Sequence, residues 1–107
     1  MKVQGTNLSM TRGDSEKLTV RCSEPFGAGD VLRMTVREDV NSPIVLQKTV
    51  REFTAEGEAE IAIDPGDTEE LEFGAYVYDI EVRRADGTVT TLVKPARFTL
   101  EEEVTYG

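Results

Sequence analysis

Short runs in which apolar and polar residues alternate with a period of two constrain this chain more than any other feature. Leu18, Val20 and Cys22 alternate with Lys17, Thr19 and Arg21, and Leu32, Met34 and Val36 alternate with Arg33, Thr35 and Arg37. Ala59, Ile61 and Ile63 enclose Glu60 and Ala62, while Tyr76, Tyr78, Ile80 and Val82 alternate with Val77, Asp79, Glu81 and Arg83. Successive side chains on a strand point to opposite faces, so each run offers one face to a core and the other to water. The alternation predicts Leu18, Val20, Leu32, Met34, Val36, Ile61, Ile63, Tyr76, Ile80, Val82 and Phe98 inward. No segment has the length and period of a major helix.

Weaker runs complete the set. Leu8 and Met10 suggest a first strand, Ile44 to Val50 a fourth, and Val89 to Val93 with Ala96, Phe98 and Leu100 a last one. Lys48 interrupts the inward set of the fourth strand, as at a bulge or a sheet edge. Pro95 lacks an amide donor and is expected to break the last strand, which resumes at Ala96. Arg12-Gly13-Asp14-Ser15, Phe26-Gly27-Ala28-Gly29-Asp30, Asn41-Ser42-Pro43 and Asp86-Gly87 have turn chemistry, and Asp86-Gly87 is the sharpest hairpin signal. Asp67 to Leu71 suits one helical turn capped by Asp67. At 107 residues the expectation is one domain spanning 1–107, an all-β, immunoglobulin-like antiparallel β-sandwich of about seven to eight strands. Tyr76, near the start of the penultimate strand, stands where such folds place a tyrosine that bonds back to the preceding corner, here expected near Asp67–Leu71.

The formal charge is −9 with no histidine. That balance repels phosphate backbones and anionic lipids, so nucleic acid and membrane surfaces are not expected partners. From Glu52 to Glu81 there are eleven carboxylates and no lysine or arginine, a pattern that reads first as a solvated acidic face and second as a surface for a basic partner. Cys22 is the lone cysteine, so no internal disulfide is expected. The start of the chain lacks the apolar run of a signal peptide, and the expectation is synthesis as a soluble protein in the cytoplasm.

Chemistry-bearing constellations are sparse. Without histidine there is no serine–histidine–acid or cysteine–histidine site, and no glycine run resembles a phosphate cradle. Catalytic, cofactor-binding and metal residues are all expected to be none, and the chain is not expected to be an enzyme. Cys22 lies on an inward position and reads as a buried, inert thiol. Asp64, Asp67, Glu69 and Glu70 supply the oxygen ligands a calcium ion needs, without the twelve-residue loop pattern, and read first as turn-forming and capping acids. Arg12-Gly13-Asp14-Ser15 matches an integrin-binding tetrapeptide by sequence but reads as a turn between the first two strands.

The residues from Asp64 onward carry a family resemblance: Asp67-Thr68, then Leu71-Glu72-Phe73-Gly74-Ala75-Tyr76-Val77-Tyr78-Asp79-Ile80, Asp86-Gly87, Thr91-Leu92-Val93, Arg97-Phe98-Thr99-Leu100 and Val104-Thr105. This order resembles immunoglobulin-like domains of tailed-bacteriophage and prophage structural proteins, like the N-terminal domain of baseplate upper proteins. The resemblance implies a non-enzymatic structural part of a virion tail or baseplate, located in the virion, with no cofactor. Its partners would be other copies of itself or other virion proteins, as a homo-oligomer. The competing expectation is a free-standing bacterial protein- or carbohydrate-binding β-sandwich module.

Overall fold

The computed structural model describes residues 1–103; Val104-Thr105 lie outside them. In chain order the elements are β1 (Lys2–Gln4), β2 (Asn7–Thr11), β3 (Glu16–Arg21), β4 (Val31–Arg37), β5 (Ile44–Val50), β6 (Glu58–Ile63), α1 (Pro65–Thr68), β7 (Gly74–Arg83) and β8 (Val89–Glu101). They form an all-β, immunoglobulin-like sandwich of unequal layers. One sheet has six strands in the order β1-β2-β8-β7-β4-β5, and the other has only β3 and β6.

The alternating residues meet between the layers as expected. Leu32, Met34, Val36, Ile61, Ile63, Ile80, Val82 and Phe98 are essentially inaccessible, and Val20 and Tyr76 are buried with them. Leu18 is the exception: it packs against the core but stays half-buried. The corner tyrosine is present. The Tyr76 hydroxyl donates to the carbonyl of Glu72 at 2.6 Å, one residue beyond the expected stretch. Tyr78, two residues on, donates to the carbonyl of Thr6 and so pins the β1–β2 hairpin to the sheet.

Several local expectations need correction. A short strand, β1, precedes the expected first strand, so the Arg12–Ser15 turn joins β2 to β3. The sandwich is not wholly antiparallel, because β2 runs parallel to β8 from Leu8↔Phe98 to Thr11↔Glu101. Pro95 does not break the last strand. β8 continues through it with register shifts against β7, from Tyr78↔Ala96 to Ile80↔Val93 and again to Glu81↔Thr91. The bulged backbone tolerates the missing amide donor. The helical turn starts earlier than expected and is capped by Asp64, because Pro65 fits the first helical position, where an amide hydrogen has no partner to lose. Asp67 instead accepts the Asp64 amide at 2.8 Å.

β5 is the edge that Lys48 foreshadowed, and its ladder with β4 shifts register between Val36 and Arg37. The Asp86-Gly87 hairpin forms as expected, with the Arg84 amide donating to the Thr88 carbonyl at 2.8 Å and Gly87 at φ 91°.

Candidate functional site

The residues singled out from sequence turn out to be structural fittings spread over the molecule. Cys22 is half-buried, with its sulfur 3.6 Å from the guanidinium of Arg84. That arginine, unremarked in the sequence, binds the Asp30 carboxylate at 3.0 Å and the carbonyls of Pro25 and Glu24. It also lies over the ring of Phe26, which stacks on Phe53 with centroids 4.5 Å apart. Asp30 accepts the amides of Gly27 and Ala85 as well, at 2.8 and 2.9 Å. These hydrogen bonds, led by that of Gly27, hold its carboxyl below the ordinary range. The cluster anchors the β3–β4 loop to the β7–β8 hairpin.

The Arg-Gly-Asp turn is likewise an anchor. Gly13 takes φ 83° and its amide donates at 2.8 Å to the hydroxyl of fully buried Thr68 in α1. Arg12 bonds Glu103 and the Leu71 carbonyl and covers the Phe73 ring. The eleven-carboxylate block does not form one acidic face. Its members divide among the β5–β6 loop, which holds Glu52 and Glu56, the outer face of β6, the loop around α1 and the outer face of β7, because the fold separates these segments.

A sandwich of two open sheets has two seams, and in this molecule they are finished differently. At the β5–β6 seam, Lys48 sits opposite Met34 on the core-facing side of β5. Its ammonium reaches across to Asp67 at 2.8 Å and Asp64 at 3.9 Å. An inward-pointing charge at an edge strand is a known device against further strand pairing. It also supplies a cation to the acidic loop. Burial opposes the charge on Asp67, but the Lys48 hydrogen bond, the Asp64 amide and the Lys48 charge outweigh it, and its pKa is lowered.

The opposite seam, between β3 and the first half of β8, has no such plug. A groove of about 180 Å³ opens there, with Val3, Leu8, Leu18, Val20, Tyr78, Ile80, Leu92 and Val93 in its lining. Arg21 is the one charged residue in that lining, and no carboxylate contributes to it. This opening is why Leu18 is only half-buried.

Both flanking strands offer free backbone. β8 is paired on its far side by β2 only from Phe98 to Glu101, so Val89 to Lys94 have a strand partner only in β7. β3 pairs with β6 alone among the described strands. The Cys22 amide donates to Gly57 at 2.9 Å, and Gly57 is required there, since a Cβ would come within 2.7 Å of the Cys22 carbonyl oxygen. Residues of an antiparallel strand alternate in which edge their peptide groups address. With Cys22 facing β6, Val20 and Leu18 also face β6, and Arg21, Thr19 and Lys17 direct their amides and carbonyls to the open side. A hollow of about 130 Å³ on the outer face of the large sheet, beside Thr35, Arg37 and Asp79, has no comparable edge because β4 and β7 are paired on both sides.

No family model matches the chain, and no curated protein matches it. Among solved structures, CopC from Methylosinus trichosporium OB3b is similar in fold, with a TM-score of 0.56 at 17% identity over 94% of this chain and 89% of that one. The likeness supports the β-sandwich and overturns the virion tail or baseplate function expected from the C-terminal residues. Those residues explain the error in physical terms. Tyr76 holds a corner, Asp86-Gly87 makes a hairpin turn and Thr68 anchors a loop, so the shared pattern builds a sandwich and specifies no assembly.

Proposed function

We propose that this chain is a non-catalytic binding module that takes an extended segment of another protein into the β3–β8 seam. The observation that carries this reading is the coincidence of an apolar, carboxylate-free groove with the free backbone edge of β3. An added strand would pair with the peptide groups of Lys17, Thr19 and Arg21 while its alternate side chains enter the groove over Leu18 and Val20. The main-chain bonds would hold it, and the groove has room for about one or two apolar side chains.

Carbohydrate is the weaker ligand class. Sugar-binding sandwiches need exposed aromatic platforms, and among the described residues the exposed large aromatic is Phe73, at 52%, with the Arg12 guanidinium 5.5 Å from its ring centre. The likeness to CopC brings no ligand with it. Among the described residues no three histidine, cysteine, aspartate or glutamate side chains gather as a metal site, and Lys48 already pairs with Asp64 and Asp67.

Selection of a displayed random-peptide library on the purified protein tests the proposal. The expected winners are extended sequences with alternate apolar residues, and they lose binding to Thr19→Pro. That substitution deletes one outward amide and leaves the β6 ladder untouched, which circular dichroism and a denaturation midpoint would verify. Winners that bind folded Thr19→Pro equally well would refute strand addition at β3.

A further inference from the structure

We infer that the segment accepted at this seam alternates apolar residues with acidic ones, an inference that rests on the strand-addition reading. A strand laid along β3 places every second side chain over the groove and the others on the outer face, level with Lys17, Thr19 and Arg21. Lys17 and Arg21 are 72% and 78% exposed there.

The other side of β3 already displays the complementary chemistry. In β6, Ala59 and Ile61 stand opposite Val20 and Leu18, while Glu58 and Glu60 stand opposite Arg21 and Thr19. The resulting ion pairs, Arg21–Glu58 at 3.6 Å and Lys17–Glu60 at 3.8 Å, are long and exposed. Both cations therefore keep capacity for a second carboxylate from the open side, and an acidic alternating strand repeats on that side what β6 does on this one.

Charge also argues against two rival occupants. A lysine-bearing segment would set its cations beside Lys17 and Arg21, where like charges across a ladder are destabilising. A second copy adding its own β3 in antiparallel register would do the same, bringing each copy's Lys17 and Arg21 against the other's.

The test uses short synthetic peptides that alternate valine with glutamate, with serine or with lysine, titrated against the whole protein by fluorescence anisotropy. The glutamate peptide is expected to bind roughly twofold to thirtyfold more tightly than the serine peptide at low salt, the range for two exposed ion pairs. The lysine peptide is expected to bind most weakly. The preference should shrink as salt rises and disappear in Lys17→Gln/Arg21→Gln, to which the glutamate and serine peptides should bind alike.

Equal binding of all three peptides would overturn the charge inference and leave strand addition standing. Failure of all three to bind would overturn both. Sedimentation of the protein alone provides the remaining arm: self-association abolished by Thr19→Pro would assign the seam to a second copy and overturn the inference.

Discussion

Tyr76 and Tyr78 stand two residues apart on one face of β7 and fasten different parts of the chain. Tyr76 closes the corner that leads from α1 into β7, through the Glu72 carbonyl. Tyr78 holds the turn before β2 through Thr6 and packs edge-on against Phe98 at 6.3 Å. Burial raises the pKa of both phenols, so both hydroxyls remain donors at physiological pH. Tyr76→Phe deletes one hydrogen bond and keeps the ring, and should lower stability by roughly 0.5–1.5 kcal/mol. A chemical denaturation curve checks this, and an unchanged midpoint would mean that the corner bond contributes nothing net. Leu18 and Val20 make the opposite point about residues. They have the same chemistry and the same phase, yet one is buried and the other half-open, because exposure at this position depends on what lies beyond the strand.

That contrast between phase and neighbourhood decides what could be read at the scale of elements. Strand identity was legible because side-chain direction along a strand is local, and the inward residues of β4, β6 and β7 fall where their alternation put them. Lys48 was legible as an irregularity, but its purpose was not, since Asp64 and Asp67 approach only when β5 and α1 meet across a seam. The open edge of β3 was invisible for the same reason: whether a strand gains a second partner is a property of the whole pairing order. Arg84 and Asp30, far apart in sequence, gave no local signal either. Their ion pair has a measurable consequence. Asp30 and Asp67 have folded-state pKa values below the ordinary 3.8, so the unfolded chain takes up protons first as pH falls. Their stabilisation is complete above the unfolded value and is lost as pH drops from there through the lower folded values. The denaturation midpoint should therefore hold steady near neutrality and fall below about pH 4. A midpoint that rises on acidification would contradict these assignments.

Across the whole molecule, the inequality of the two sheets sets where a partner can attach. Six strands face two, so the smaller sheet cannot cover the larger one at both sides. One seam is closed by Lys48 and its aspartates, and the other is left with an apolar groove and the peptide groups of β3. Charge marks the same contrast: Asp64 and Asp67 stand at the closed seam, and the lining of the open groove has no carboxylate. Amide hydrogen exchange along β3, without and with the glutamate-alternating peptide, tests this account most directly. In the free protein the amides of Leu18, Val20 and Cys22 should exchange slowly because they face β6, and those of Lys17, Thr19 and Arg21 should exchange fast. Bound peptide should slow that second set, since its strand supplies their missing partners. Peptide binding that leaves Lys17, Thr19 and Arg21 fast, or that protects β5 instead, would contradict the account.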